Sequence, residues 1–85
     1  MVLSGPERVV VLVRDGCHLC AEALGVIEGV CARVGATWRS VDIDSDSALR
    51  ADYTDHVPVT FVDGVLHARW FVDATDLEQA LTRNA

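Results

Sequence analysis

The chain has few basic residues. Lysine and arginine together number 7 against 13 aspartates and glutamates, which leaves a formal charge of −6 over 85 residues. Binding to nucleic acid phosphates or to an anionic membrane requires basic patches, so this acidic surplus argues against both partners. We therefore expect neither a nucleic acid partner nor a membrane partner.

Long hydrophobic runs are also missing. The longest, Val9–Val13, is far too short for a signal-peptide core or a membrane span, and Met1–Glu7 lacks the basic start of a signal peptide. No segment is repeated or of low complexity, and 51% of the residues are hydrophobic, so residues 1–85 should fold as one domain. We expect a cytoplasmic protein. In that compartment a close cysteine pair is more often catalytic or metal-binding than structural.

Val9–Val13 begins the segment that dominates the sequence, V-V-V-L-V-R-D-G-C-H-L-C. Five apolar residues in a row indicate a central strand covered on both faces. A turn follows, and then the pair Cys17 and Cys20 opens a helix that ends at Gly35. The predicted inner stripe of this helix contains Cys20, Leu24, Ile27, Cys31 and Val34.

The rest of the chain predicts the order β-α-β-α-β-β-α. The first strand, helix and second strand form a right-handed βαβ unit, and Asp63-Gly64 indicates a hairpin between the last two strands. With strands one and three at the centre, this is an α/β fold, a four-stranded mixed sheet with helices on both faces. The remaining predicted elements are strands at Thr37–Ile43, Val59–Val62 and Val65–Phe71, a helix capped by Asp44 or Ser45 and ending near Tyr53, and a helix with a capping box at Thr75–Glu78.

Cys17 and Cys20 are placed for thiol chemistry. Only the thiolate attacks disulfides, and unpaired N–H groups with the positive end of the helix dipole favour an anion at the first turn. Cys17 lies at this position, while Cys20 continues the inward stripe and should be less accessible. We therefore expect Cys17 to attack a substrate disulfide and Cys20 to resolve the mixed disulfide.

Two neighbours could tune Cys17. His18 can carry partial positive charge and donate hydrogen bonds, so we expect it to lower the pKa of the Cys17 thiol, unless it is a solvated turn residue. Arg14 would add positive electrostatic potential at Cys17 if its side chain turned back toward that residue. The alternative is that Arg14 is an ordinary surface arginine.

Pro58 opens the third strand and has no N–H for the ladder, which suggests a special geometry such as a cis peptide bond. A cis bond would leave the backbone of Val57 free to pair with an extended substrate. The alternative is that Pro58 only terminates the preceding loop.

With C-H-L-C after V-V-V-L-V, V-P-V-T-F-V-D-G after a short helix, and a closing helix, the sequence resembles the glutaredoxin-like branch of the thioredoxin-fold superfamily over Val9 to Arg83. The resemblance implies a thioredoxin-like fold, Cys17 as nucleophile, Cys20 as resolving thiol and Pro58 in cis beside them. It makes glutathione a candidate co-substrate, held by Arg14, Val57 and the start of the last helix.

The chain departs from the family pattern at three places. Glutaredoxins usually have Pro-Tyr between the cysteines, where this chain has His18-Leu19, and they tend to have a lysine where this chain has Arg14. They normally have Gly-Gly and acidic residues after the hairpin, and His67–Asp73 stands there instead. In the last helix only Asp73, Thr75 or Asp76 could substitute for those acidic residues.

We therefore expect a monomeric thiol-disulfide oxidoreductase without a tightly bound cofactor, acting on a disulfide-containing protein or a low-molecular-weight thiol. One alternative is a zinc module formed by Cys17, Cys20 and a histidine (His18, His56 or His67), although structural zinc usually takes four ligands. A second is a non-catalytic thioredoxin-fold binding module. Cys31 is about 16 Å along the helix from Cys20, too far for a disulfide, and is expected in the core.

Overall fold

The computed structural model of the protein describes residues 5–83, and these follow the predicted order of strands and helices. One short 3₁₀ turn, Ile43–Ser45, is added after the second strand. The strands are β1 (Val9–Val13), β2 (Trp38–Asp42), β3 (Val59–Val62) and β4 (Val65–Arg69), and the helices are α1 (His18–Val34), α2 (Ser47–Tyr53) and α3 (Ala74–Arg83).

The four strands form one mixed sheet in the order β2-β1-β3-β4. β1 runs parallel to β2, with Leu12 opposite Val41, and antiparallel to β3, with Leu12 opposite Val59. β3 and β4 form the antiparallel hairpin. The prediction that β1 and β3 occupy the centre is confirmed, and the carboxyl ends of β1 and β2 therefore meet at one edge of the sheet.

Helices cover both faces of the sheet, as predicted. Val9 and Val11 pack on one side with residues of α1 and α3, including Ile27 and Leu77. Val10 and Leu12 point to the other side, where the cluster includes Leu49 of α2. Alternate residues of β1 thus enter different cores, which explains why its whole sequence is apolar. In the described part of the chain, no helix has the length and apolar character needed to cross a membrane.

The buried side of α1 differs slightly from the predicted stripe. Cys20, Ile27 and Cys31 are buried as expected, but Leu24 and Val34 are only half-buried. Ala23 and Val30 take their places in the core. The reason is that α1 packs against both β1 and α3, so its buried surface turns toward the neighbouring helix.

The residues that begin α2 were predicted wrongly. β2 ends at Asp42, one residue before the predicted end, and Asp42 caps the 3₁₀ turn by accepting the N–H of Asp44 at 2.9 Å. Asp46, rather than Asp44 or Ser45, caps α2 by accepting the N–H groups of Ala48 and Leu49. Each of the three aspartates is a good cap, and because Asp42 serves the first turn, Asp46 is left for the helix.

The start of α3 and the end of β4 also differ from prediction. Asp73 caps α3 by accepting the N–H of Asp76 at 3.0 Å, so the capping box expected from Thr75 is not used. β4 stops at Arg69 rather than Phe71, because Trp70 takes a left-handed backbone conformation with φ 62°. A bulge at Thr60/Phe61 shifts the pairing of β4, and Leu66 in that strand is 43% exposed.

Arg8 lies directly before β1, at the end of the sheet where the β3–β4 turn also lies. It connects the start of β1, that turn and α3. Its guanidinium donates to both carboxylate oxygens of Asp63 in that turn, at 3.0 and 2.8 Å, and to the carbonyl of Leu81 in α3. The N–H of Asp63 donates in return to the Arg8 carbonyl. The hydrogen bonds from Arg8 hold the pKa of the Asp63 carboxyl below its ordinary range.

Asp63 has a left-handed backbone conformation with φ 52°, which asparagine also tolerates. We predict that Asp63→Asn lowers the free energy of unfolding at pH 7 by roughly 0.5–1 kcal/mol, since the partly exposed ion pair is lost. A carboxyl whose pKa is lowered on folding stabilises the protein above its unfolded pKa of about 3.9, and this contribution disappears as the pH falls through the folded value. Urea unfolding should therefore give a difference between the two proteins at pH 7 that shrinks toward pH 3. A difference of equal size at both pH values would contradict this role of the Asp63 charge.

Candidate active site

The turn between β1 and α1 brings Cys17 to the start of the helix. Gly16 has φ 73°, a conformation that glycine adopts without strain, and it reverses the chain directly before the cysteine. Cys17 then caps α1, with its Sγ accepting the N–H of Cys20 at 3.1 Å and its carbonyl accepting the N–H of Ala21. The first turn of α1 contains no acidic residue. The sulfur of Cys17 therefore lies against helix N–H groups with no carboxylate of that turn beside it.

Cys17 and Cys20 are close enough to form a disulfide. Their Cα atoms are 5.2 Å apart, and their Sγ atoms are bonded to each other. Cys17 is half-buried, whereas Cys20 is only 3% exposed. The two cysteines thus differ in exposure in the direction expected from the helix stripe, with Cys17 the more exposed residue.

Arg14 and His18 flank Cys17 in different ways. His18 is the first residue of α1, and its side chain is exposed. Arg14 lies with Cys17, Cys20 and Asp42 around a shallow depression. Its guanidinium, however, donates to both carboxylate oxygens of Asp44, at 3.0 and 3.1 Å. Much of the positive charge of Arg14 is thus balanced by this carboxylate.

Asp44 was not identified as a site residue from the sequence. The available signal was the acidic run D-I-D-S-D that follows the second strand. Because β1 and β2 are parallel, residues after β2 lie beside the turn that follows β1, and an acidic residue there can reach Arg14.

Val57 and Pro58 lie on the other side of β1 from Asp42. The peptide bond between them is cis, as predicted. Pro58 is buried and Val57 is half-buried. Val59 pairs with Leu12, so Pro58 reaches the end of β1 from which the chain continues into the Cys17 turn. Sheet pairing thus brings this segment and the cysteine turn to one edge.

Trp70 is a further residue near this segment whose contacts could not be read from the sequence. Its indole ring stacks on the ring of His56, with the centroids 6.1 Å apart, and its Nε1–H donates to the carbonyl of Asp55 at 3.2 Å. Its backbone N–H donates to the carbonyl of Pro58 at 2.7 Å. The only sequence signal was an aromatic residue on the strand predicted at the edge of the sheet.

Cys31 is separate from the pair and free, as expected. It is 1% exposed, and burial raises the pKa of its thiol, while the charge of Arg8 opposes this shift. A buried thiol with a raised pKa is a poor nucleophile. Cys31 therefore belongs to the core formed by β1, α1 and α3.

A metal site is not assembled among residues 5–83, where no three His, Cys, Asp or Glu side chains come together to hold an ion. His18 is exposed at the start of α1, and His56 stacks on Trp70. The donor set of the zinc alternative is therefore not brought together around Cys17 and Cys20.

Comparison with known protein families gives a match to one model. Residues 8–82 match the model described as "Glutaredoxin-like domain (DUF836)". An uncharacterised protein of Mycobacterium tuberculosis is 29% identical over 87 residues, which cover 96% of this chain and 89% of that protein.

Solved structures with a similar fold include small proteins and a thioredoxin. The protein XcR50 of X. campestris is 32% identical with a TM-score of 0.72, over 88% of this chain and 96% of that one. Ne2328 of Nitrosomonas europaea is 29% identical with a TM-score of 0.70, over 87% and 89% of the two chains. Fasciola hepatica thioredoxin is 23% identical with a TM-score of 0.62, over 99% and 86%. The predicted thioredoxin-like α/β fold is confirmed.

The three cysteines should differ in reactivity toward iodoacetamide. In the reduced, folded protein we expect Cys17 to be alkylated first and Cys20 more slowly, because Cys20 is 3% exposed. We expect Cys31 to react only after denaturation in urea, since it is buried and its pKa is raised. Mass spectrometry of peptides from timed reactions measures the order, and early labelling of Cys31 would contradict this assignment.

Proposed function

The chain belongs to the glutaredoxin-like domain family, and from this premise we propose that it is a thiol-disulfide oxidoreductase that uses Cys17 and Cys20. The observation that carries the proposal is the position of Cys17, half-buried at the start of α1, with Cys20 bonded to it from the first turn of that helix. A close cysteine pair with one partly exposed member is suited to disulfide exchange.

The proposed reaction has two exchange steps. The Cys17 thiolate attacks one sulfur of a substrate disulfide, which forms a mixed disulfide and releases the first substrate thiolate. The Cys20 thiolate then attacks Sγ of Cys17, which forms the Cys17–Cys20 bond and releases the second substrate thiolate. Two electrons pass from the protein to the substrate, and solvent supplies the protons taken up by the released thiolates. Two molecules of a low-molecular-weight thiol then reduce the Cys17–Cys20 bond by the reverse exchange and are themselves oxidised to their disulfide.

The start of α1 supports a thiolate at Cys17. The N–H of Cys20 donates to its Sγ at 3.1 Å, and the positive end of the helix dipole acts at the same atom. The lack of acidic residues in the first turn removes a local repulsion of the anion. These features lower the free energy of the Cys17 thiolate, which is the attacking group in the first step and the leaving group at the end of the reverse exchange.

We propose that His18 adds to this stabilisation, since it is adjacent to Cys17 and its exposed ring can carry a proton. Arg14 is proposed as a substrate-binding residue at the depression that contains both cysteines. Because Asp44 balances its charge, we infer that Arg14 orients substrate more than it changes the field at Cys17.

Val57 and Pro58 are proposed to contact the substrate on the side of β1 opposite to Arg14. Val57 precedes β3 and is half-buried, so its backbone lies outside the regular ladder and is a candidate for pairing with an extended chain. The substrate would then be a disulfide-containing protein or a low-molecular-weight disulfide, with glutathione as a co-substrate and no tightly bound cofactor.

We place the reaction in the cytoplasm and assign it to a monomer. Cys31 is a free thiol buried in the core, which fits a reducing compartment. The acidic charge of −6 disfavours nucleic acid and anionic membrane partners.

Replacing Cys17 and replacing Cys20 should affect turnover in different ways. With a small disulfide as substrate, we expect Cys17→Ser to lose turnover by at least about 1000-fold, because the attacking sulfur is missing. Cys20→Ser should still form the mixed disulfide and accumulate it, visible as an adduct on Cys17 by intact mass. Cys31→Ser is the matched control and should keep full turnover. Equal activity of Cys17→Ser and the unsubstituted chain would overturn the proposal and favour a non-catalytic binding module.

His18→Ala should raise the pKa of the Cys17 thiol, because the neutral methyl group cannot stabilise the adjacent anion. The measurement is the pH dependence of Cys17 alkylation in the reduced protein. Leu19→Ala, between the same two cysteines, serves as the control for changes in the turn. An unchanged or lower Cys17 pKa in His18→Ala would remove histidine from the mechanism.

A further inference from the structure

Trp70 stands directly after β4 in a backbone conformation that does not suit it. Its φ is 62°, a left-handed value that glycine adopts freely and that bulky L-residues rarely adopt. The side chain is also 43% exposed, so burial in the core does not account for its presence there. The contacts of Trp70 must therefore explain why a tryptophan occupies this position.

The hydrogen bonds and the ring stacking of Trp70 fall on one short segment, residues 55–58. The indole Nε1–H donates to the Asp55 carbonyl at 3.2 Å, and the indole ring stacks on His56 at 6.1 Å with an angle of 29° between the planes. The backbone N–H of Trp70 donates to the Pro58 carbonyl at 2.7 Å. One residue thus holds both ends of the segment that contains Val57.

The same segment lies next to the cysteine turn through the sheet. Val59 pairs with Leu12 in β1, and the chain leaves β1 at Val13 to enter the turn before Cys17. A displacement of residues 55–58 would therefore change the surface that a substrate meets beside Cys17. The regular sheet ladder does not prevent this displacement, because β3 begins only at Val59.

We propose that Trp70 is a positioning residue that holds residues 55–58 in place for pairing with an extended peptide substrate. The inference rests on the proposed disulfide exchange at Cys17. Trp70 acts without touching the cysteine sulfurs. It acts through the backbone of Val57, so its effect should depend on the size of the substrate.

Phe71 provides a matched control. It is the next aromatic residue along the chain and is 71% exposed. Within residues 5–83 its side chain makes no ring stacking contact or hydrogen bond of the kind made by Trp70 to Asp55 and His56. A change in the peptide KM that is common to the Trp70 and Phe71 variants would indicate loss of exposed aromatic surface. A change confined to the Trp70 variants would indicate loss of positioning.

The test compares Trp70→Gly, Trp70→Phe and Phe71→Ala on two substrates. One is a linear peptide with a mixed disulfide of 2-mercaptoethanol on a central cysteine, and the other is bis(2-hydroxyethyl) disulfide, which is too small to pair with residues 55–58. We expect Trp70→Gly to raise KM for the peptide about tenfold with kcat unchanged, and to alter KM for the small disulfide less than about twofold. Trp70→Phe, which keeps a ring but lacks the indole N–H, should raise the peptide KM about threefold. Phe71→Ala should change neither.

An equal change on both substrates, or an unchanged peptide KM in Trp70→Gly and Trp70→Phe, would overturn the positioning role. Amide hydrogen exchange gives a readout independent of activity. Exchange at His56 and Val57 should be at least about fivefold faster in both Trp70 variants than in Phe71→Ala, with the core amides of β1 unchanged. If the unsubstituted chain reduces neither disulfide, the proposed function fails. The amide hydrogen exchange rates then test the role of Trp70 by themselves. Faster exchange confined to residues 55–58 supports that role, and unchanged exchange refutes it.

Discussion

The position of the cysteine pair depends on β1, the strand buried on both faces. Because Val9 and Val11 enter one core and Val10 and Leu12 the other, the strand cannot shift by one residue without exchanging both sets of contacts. The end of β1 is therefore fixed, and so is the turn that places Cys17 at the first N–H groups of α1. A thiol at this point is close to the helix dipole as a direct consequence of the packing of the strand before it.

The neighbours of β1 determine what surrounds the cysteines. On the parallel side, residues that follow β2 provide Asp44, which pairs with Arg14. On the antiparallel side, residues that precede β3 provide Val57 and Pro58, and Trp70 after β4 contacts the same segment. The site thus has the Arg14–Asp44 ion pair on one side and the segment contacted by Trp70 on the other, with the cysteine turn between them. The two sides of the cysteine turn therefore differ in charge and in the side chains that they present.

Much of the fold could be predicted because the strongest signals are periodic and local. The unbroken apolar run Val9–Val13, the glycine that ends α1 and the Asp63-Gly64 turn all correspond to the elements observed. Prediction failed where several residues could serve the same purpose. Asp42, Asp44 and Asp46 are all suitable helix caps. Which of them caps the 3₁₀ turn and which caps α2 depends on where β2 ends. The same applies at α3, where Asp73 rather than Thr75 is used.

The sequence by itself determined the central strand, the cysteine spacing at a helix start, the hairpin and the core position of Cys31, because each depends on residues adjacent in the chain or repeated at a helical or strand period. Only the tertiary structure decided that Arg14 is paired with Asp44 and that Trp70 stacks on His56. These contacts join residues from different strands and loops. Their geometry depends on sheet order, register and one bulge in β3–β4, none of which is encoded at a single position.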